Sequence, residues 1–381
     1  MFWSVVLIIC GLIYLWQKWN YSFWQRNGVP GPNPSFFVGN LGPVVKQKDH
    51  IGLMADTWYK KYADAPYIGY YKAFTPAIMV RDMDLVKNIL IKDFTSFHSN
   101  DLFSNDDPNE LLTVNPFVQT DEQKWKLSRT VMSPMFTTTK LSAKFTTENV
   151  ASCAFSLNAN CFEDGDCEFR RMGKKIFQPS FWMGIKFMLF FFFPYIAKFF
   201  SLSFLPKDVD KWARRLIREN VASRKNRTLN YDDMLQIMLS VQDKYNLTQD
   251  HIAGHALSFF VDGYETSSTV LSFALWQLAR HPDVQKKVSD EIVTVLHKHA
   301  NSLSFEALSE MNYLDLVIQE TLRINAVGLT MHKKCTKPYM LPKLPGQKEP
   351  FVLQPGTPIL IPVYSIHQKN NDWKALMEKD G

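Results

Sequence analysis

A polar segment inside an otherwise apolar helix is the part of the sequence best suited to chemistry. The segment holds Asp262, Gly263, Glu265 and Thr266, and apolar residues flank it within a helix predicted over 248–280. We expect these side chains to be buried, although a buried carboxylate is unfavourable without a partner and a glycine weakens a helix interior. The pattern predicts a groove that holds a small ligand against the helix backbone, with an acid and a hydroxyl placed to relay protons. The alternative interpretation is a polar patch that is either solvated or lies between helices.

Two pairs of side chains elsewhere could bind or support such a ligand. Trp125 and Arg129 lie one turn apart on a predicted helix, and both groups only donate hydrogen bonds, so together they could hold a carboxylate of a ligand. Glu320 and Arg323 lie among apolar neighbours and could form a buried ion pair, which would need a third partner to offset desolvation. The ordinary alternatives are surface packing for the first pair and an exposed helix pair for the second.

Metal-binding and disulfide chemistry have weaker signals. His251 and His255 lie one turn apart, as two metal ligands would, but the glutamate of the zinc-protease motif is missing and no third ligand is obvious. The five cysteines are an odd number in a long chain and include no CxxC pair, which excludes a small disulfide scaffold and a zinc ribbon. They are Cys10, Cys153, Cys161, Cys167 and Cys335.

The elements that must position these groups are mostly helical. Thr248 is a suitable N-cap for the long helix, and Pro282 marks its end. Strands are predicted over 67–71, 77–80 and, after a proline-containing turn, 359–364. Further helices are predicted over 51–62, 122–136, 145–157, 207–223, 231–241, 282–299 and 313–324.

Composition limits the class of protein. The 381 residues are 46% hydrophobic and 21% charged, which is enough to bury a large core in one big domain or two ordinary ones. Collagen-like and low-complexity classes are excluded. A net charge of +6 on this length is too diffuse to indicate nucleic-acid binding, and we expect none.

The first residues predict a membrane anchor. Residues 1–24 are apolar up to Trp16 and then rich in aromatic residues, as at a membrane interface. The apolar span is short, so we expect a tilted or shallow anchor, and Lys18 and Arg26 place the rest of the chain in the cytosol. A cleaved signal peptide is the alternative, but no basic start or small-residue cleavage site is visible. A proline-rich elbow follows over 25–34, and a globular domain over 35–381.

A phenylalanine-rich stretch lies between Ile176 and Leu205. It holds ten phenylalanines, but Lys186 and the prolines at 179 and 194 interrupt it. These interruptions favour a buried or membrane-dipping helix pair over a second membrane span.

These features, in this order along nearly the whole chain, resemble one family. The anchor, the elbow, Trp125-xxx-Arg129, the segment 262–267, Glu320-Thr321-Leu322-Arg323 and the closing turn and strand are similar to those of microsomal cytochrome P-450 enzymes, the haem-thiolate monooxygenases. The resemblance is greatest to insect-type members that act on xenobiotics. It implies a mainly α fold with small β-sheets, a haem cofactor, O2, an NADPH-dependent flavoprotein reductase and small lipophilic substrates. It also implies an endoplasmic reticulum membrane location, with the catalytic domain on the cytosolic face.

The resemblance also implies roles for single residues. Trp125 and Arg129 would hold a haem propionate, while Gly263, Glu265 and Thr266 would shape the oxygen pocket and deliver protons. Glu320 and Arg323 would belong to a structural network on the proximal side of the haem. The phenylalanine-rich stretch and the loop 95–120 would line the substrate channel.

The chain departs from the family at four places. Asp262 stands where a small residue is usual, so the pocket is more acidic. Lys333 stands where an arginine is common, so a second propionate contact would not be bidentate. The link from Phe136 to Phe145 looks shortened. The fourth departure is the axial ligand, a cysteine in a glycine-containing loop that would follow Gly381.

No cysteine of the sequence lies in the context of that axial ligand, so we expect the chain as given to be inactive and the fold to be incomplete at its C-terminus. A splice form, a decayed gene and an incomplete gene model would each explain this. The alternative function is a non-catalytic, membrane-anchored form that binds lipophilic ligands or the reductase.

Overall fold

The structure is a computed structural model that describes most of the chain and is mainly helical. The described residues are 2–101, 110–132, 151–152, 154–157, 163, 166–178, 180–200, 202–225 and 233–369. Within them, helices dominate and both sheets are small, which confirms the predicted mainly α class with small β-sheets. The predicted shortening between Phe136 and Phe145, and most of the helix predicted over 145–157, lie outside these residues.

The observed helices agree with most of the predicted ones to within about three residues at each end. The phenylalanine-rich stretch forms two helices, as predicted, and not one continuous span. The helices of the described residues are Phe2–Asn20, Phe23–Arg26, Gly42–Val45, Ile51–Lys61, Met83–Lys87, Glu122–Met132, Glu168–Phe177, Phe181–Phe192, Pro194–Phe199, Lys207–Lys225, Met234–Ser240, Gln242–Tyr245, Gln249–Arg280, Pro282–Lys298, Phe305–Ser309, Asn312–Ile324 and Val363–Lys369. Short 3-10 or π turns occupy Asn88–Lys92, Phe94–Ser96 and Leu111–Val114.

The chain divides into two compact units. The strand unit comprises Met1–Phe103, Phe191–Phe193 and Gly328–Gly381, and the helical unit comprises Ser104–Phe190 and Pro194–Val327. Each unit has a core of its own: Tyr67, Ile78 and Met79 are buried in the strand unit, and Trp212 and Phe260 in the helical unit.

The strand unit contains both sheets. The strands are β1 (Tyr67–Lys72), β2 (Thr75–Val80), β3 (Met331–Lys334), β4 (Tyr339–Met340), β5 (Val352–Leu353) and β6 (Pro358–Ile361). The larger sheet has the order β1-β2-β6-β3, in which β2 and β6 are parallel and the other neighbours are antiparallel. The apolar strand after the closing turn is shorter than predicted, because Pro362 lacks the N–H that would continue the ladder and a helix begins at Val363.

The proline-rich elbow is fixed against β1. The backbone N–H of Gly69 donates to the carbonyl oxygen of Pro30 at 2.9 Å. A Cβ on Gly31 would lie 1.9 Å from the carbonyl oxygen of Gly69, so only glycine permits this approach. The elbow is therefore an ordered part of the strand unit.

The first helix exposes large apolar side chains along its length, among them Trp3, Leu7 and Leu12. None of the helices in the described part of the chain is both long and apolar enough to cross a membrane. The membrane anchor over residues 1–24 stays a prediction.

The long helix, Gln249–Arg280, begins and ends where the sequence predicts. The hydroxyl of Thr248 accepts the backbone N–H of His251 at 3.1 Å, and Nδ1 of His251 accepts the backbone N–H of Thr248 at 3.3 Å. The helix ends before Pro282, because the residue that precedes a proline disfavours helical backbone angles. Its first residues are exposed, and the buried part runs from Ile252 to Ser258 and includes Phe260.

Gly254 allows the long helix to pack closely on the turn Leu111–Val114. A Cβ at this position would lie 2.4 Å from the carbonyl oxygen of Leu111 and 2.6 Å from a methyl group of Val114. This contact places the residues that follow the turn beside the polar segment of the long helix.

Candidate functional site

The polar segment of the long helix is less buried than predicted. Asp262 and Gly263 are half-buried, but Glu265 and Thr266 are exposed, so the predicted burial of these two residues is wrong. Apolar periodicity indicates which residues can be buried and does not reveal whether another element covers them. Large apolar residues further along the helix, including Leu275 and Trp276, are exposed as well.

Asp262 has a partner that the sequence does not indicate. The side-chain amide of Asn115 donates to the two carboxylate oxygens of Asp262 at 3.3 and 3.4 Å. Asn115 is itself buried and oriented, because its side-chain oxygen accepts the backbone N–H of Phe117 at 2.8 Å. Burial raises the pKa of Asp262 to about 6, while the hydrogen bond from Asn115 acts in the opposite direction. Asp262 can therefore gain or lose a proton close to neutral pH.

Thr266 lies one turn after Asp262 on the same helix. Its hydroxyl donates to the backbone carbonyl oxygen of Asp262 at 2.5 Å. A threonine hydroxyl that donates to the carbonyl oxygen four residues earlier has its hydrogen bond within the helix, and it slightly destabilises the helix at that turn. The Thr266 hydroxyl thus bonds to the backbone of Asp262 and not to its carboxylate.

Trp125 and Arg129 lie on the helix Glu122–Met132 of the helical unit. The two residues are one helical turn apart, so both hydrogen-bond donors lie on one face of the helix, as predicted. Trp125 is half-buried and Arg129 is exposed.

Lys333 belongs to the strand unit, where its β3 backbone lies opposite Ile359. Its side chain is 7% exposed, and its ammonium nitrogen lies 5.2 Å from the centre of the Phe94 ring.

The predicted pair of Glu320 and Arg323 forms. Arg323 donates from Nε and Nη2 to the two carboxylate oxygens at 2.6 and 2.8 Å, a bidentate geometry. Glu320 raises the pKa of Arg323 above its ordinary value. The side chains are 22% and 19% exposed, so the pair is half-buried and not fully buried as predicted.

The histidine pair has the spacing but not the environment of a metal site. Nδ1 of His251 is used in the cap of the long helix, and burial, with a smaller effect of His251, lowers the pKa of His255 to about 4. The described residues contain no group of three or more histidine, cysteine, aspartate or glutamate side chains that could hold a metal. Metal binding by His251 and His255 therefore has no support beyond the spacing of the two residues.

A buried glutamate forms a second long-range connection that the sequence does not indicate. The carboxylate of Glu110 accepts the backbone N–H groups of Phe204 and Leu205 at 2.9 and 3.0 Å. Burial raises its pKa, and the two backbone donors oppose that effect. This connection joins the loop 95–120 to the end of the phenylalanine-rich stretch, the two segments predicted to line a channel.

Among the described residues, Trp125 and Arg129 suit the propionate side of the implied haem, and no cysteine suits its axial side. Trp125 and Arg129 offer only hydrogen-bond donors, which suits a carboxylate. Of the cysteines in the described residues, Cys10 is exposed on the first helix and Cys167 is in a disulfide bond. The buried thiol of Cys335 donates to the carbonyl oxygen of Lys337 at 2.9 Å, and burial raises its pKa to about 11. A thiol kept protonated is a poor ligand for iron, because the thiolate is the ligand.

Comparison with known proteins agrees with the resemblance. Residues 135–375 match the family model for Cytochrome P450. The chain is similar to probable cytochrome P450 6a13 of Drosophila melanogaster, with 30% identity over 93% of this chain and 78% of that protein. It is similar to cytochrome P450 6j1 of Blattella germanica, with 30% identity over 95% of this chain and 78% of that protein. Cytochrome P450 6a2 of Drosophila melanogaster is 30% identical over 94% of this chain and 79% of that protein.

Proposed function

Because the chain belongs to the cytochrome P450 family, we propose that its function is that of a haem-dependent monooxygenase of small lipophilic substrates, which are xenobiotic or endogenous. In this reaction one atom of O2 enters a C–H bond of the substrate and the other leaves as water. Two electrons come from NADPH through a flavoprotein reductase, together with two protons. The main support is the family match over residues 135–375, which include the polar segment and the pair of Glu320 and Arg323.

Trp125 and Arg129 are proposed to bind one propionate of the haem. Their shared helix face and their donor-only groups support this role. Lys333 is proposed as a second propionate contact, in which its ammonium acts as a point charge and not as a bidentate donor. When bound, the haem supplies the oxygen and electron chemistry, and these residues orient it.

The polar segment is proposed to move protons and to shape the oxygen-binding side. Gly263 leaves space for a ligand against the helix, and Glu265 and Thr266 carry the acid and the hydroxyl. The raised pKa of Asp262 supports a role for it as an additional acid, since a group with a pKa near neutrality exchanges protons readily. Glu320 and Arg323 are proposed to brace the helix Asn312–Ile324, and their bidentate contact supports this.

A polypeptide of residues 1–381 alone is proposed to lack the thiolate that this chemistry requires. The protonated state of Cys335 supports this proposal. Such a polypeptide would be a non-catalytic, membrane-anchored form that binds lipophilic ligands or the reductase. A carbon monoxide difference spectrum of the reduced protein tests the point, because a thiolate-bound haem gives a characteristic Soret band.

The proposed location is the endoplasmic reticulum membrane, with residues 1–24 as anchor, 25–34 as elbow and 35–381 on the cytosolic face. The exposed apolar side chains of the first helix support membrane association, as do Trp182 and Phe199 on the phenylalanine-rich helices. The disulfide at Cys167 favours an oxidising compartment instead. The sequence has an N-glycosylation motif at Asn246-Leu247-Thr248, and glycosylation of Asn246 would contradict the cytosolic orientation.

A further inference from the structure

A pocket of about 220 Å³ lies within the helical unit, next to the first turns of the long helix. Its walls include Leu111 and Val114 of the short turn, Leu127 of the Trp125 helix, and His251 and His255 of the long helix. A cavity of about 150 Å³ already accepts a benzene molecule. The pocket therefore has room for an organic molecule that contains a single ring.

His255 is a buried histidine that lines the pocket. Its side chain is 2% exposed, and within the described part of the chain its Nδ1 atom has no hydrogen-bond partner. Burial lowers its pKa to about 4, so the imidazole is neutral at physiological pH. A neutral imidazole has one nitrogen that donates and one that accepts a hydrogen bond. A buried nitrogen without a partner reduces stability unless a ligand satisfies it.

Other polar groups of the pocket are already engaged with the protein. The Glu110 carboxylate accepts two backbone N–H groups. The side-chain amide of Gln119 donates to the carbonyl oxygen of Thr113 at 3.0 Å. Asp250 pairs with Arg214 at 2.6 Å. His255 is therefore a buried group through which this pocket can recognise a ligand.

The rest of the pocket favours a neutral ligand. Leu111, Val114, Leu127 and Leu247 form its apolar walls. The pocket is lined by charges of both signs, the ammonium of Lys124 and the carboxylates of Glu110 and Asp250. It therefore favours neither a cationic nor an anionic ligand.

We propose that this pocket binds a small neutral molecule with one hydroxyl group on a single ring, such as a phenol, and that the hydroxyl hydrogen-bonds to the imidazole of His255. The ring would contact the leucine and valine side chains. The ligand would lie next to Asn115, the residue that holds Asp262, because Val114 lines the pocket.

The test is a phenol titration of the full-length chain, labelled with 13C at its histidines and followed by NMR. The chain has nine histidines, and the His255 signal is identified by its loss in the His255→Gln variant. We expect a saturable shift of the His255 ring signal, while the signal of His281, at the far end of the same helix, stays unchanged. The Leu127→Trp variant keeps His255 but fills the pocket, and we expect it to lose the response.

A comparison of phenol with benzene tests the hydrogen bond. The folded chain is expected to bind phenol about fivefold more tightly than benzene, and His255→Leu is expected to bind the two about equally. A missing response of His255, or an undiminished response in Leu127→Trp, would overturn the site. An unchanged preference in His255→Leu would overturn the role of the imidazole. No haem is needed, so failure of this test is separate from failure of the monooxygenase proposal.

Discussion

The side-chain amide of Asn115 bridges both carboxylate oxygens of Asp262, at 3.3 and 3.4 Å, although 147 positions separate the two residues in the chain. This contact fastens the loop before the Trp125 helix to the polar segment of the long helix. Burial nevertheless raises the pKa of Asp262 to about 6. The carboxylate is therefore both positioned and able to exchange a proton near neutral pH.

The Asp262→Asn substitution should remove a pH dependence of stability. The pKa of Asp262 is raised from its ordinary value of 3.8 to about 6, so the folded chain binds more protons than the unfolded chain between these values. Protonation of Asp262 therefore stabilises the folded chain fully below pH 3.8, and this stabilisation is lost as the pH rises through about 6. Urea unfolding of both proteins across this range measures it. Parallel pH profiles for the two proteins would show that Asp262 does not titrate in this window.

The Arg129→Leu substitution should weaken haem binding. Loss of a charge-assisted hydrogen bond to a propionate is expected to reduce the affinity for haem by about 10- to 100-fold. Lys126→Leu is the matched control, because Lys126 is an exposed cation of the same helix that pairs with Glu122. Absorbance titration with haem measures both. Equal affinities in the two variants would remove Arg129 from the haem site.

The Arg323→Met substitution should destabilise the helical unit by about 2 kcal/mol. The substitution leaves the half-buried carboxylate of Glu320 without its bidentate partner. Its cost should lie between the costs of breaking an exposed and a fully buried ion pair. Lys286→Met breaks an exposed pair with Asp290 and should change the free energy of unfolding by less than about 0.5 kcal/mol. Chemical denaturation compares the two variants, and a similar small effect for both would mean that Glu320 is effectively solvated.

The Gly254→Ala substitution should lower the free energy of unfolding by about 1–3 kcal/mol. The added methyl group would meet the Leu111 carbonyl oxygen at 2.4 Å, so the long helix and the short turn must separate. Gly11→Ala is the control, because nothing lies within 4 Å of a Cβ there, and it should not destabilise the chain. If Gly254→Ala is as stable as the unaltered chain, the helix and the turn are not in close contact.

Local signals in the sequence account for most of the helices but not for the site contacts. Thr248 and Pro282 act on their immediate neighbours, so they fix the ends of the long helix without reference to the rest of the fold. The pairing of Asn115 with Asp262 depends on how closely two distant segments pack, which no spacing in the sequence encodes. The exposure of Glu265 depends on which elements cover the long helix, and periodicity does not contain that information.

The state of the haem in this polypeptide tests the proposed site and the proposed lack of a thiolate ligand together. The decisive measurement is the carbon monoxide difference spectrum of the purified, reduced chain of residues 1–381 after titration with haem. We predict bound haem whose affinity depends on Arg129, without the Soret band of a thiolate-ligated complex, because burial keeps Cys335 protonated. A Soret band of the thiolate type would contradict the proposal that no cysteine of this polypeptide binds the haem iron. The absence of any bound haem would contradict the proposed haem site.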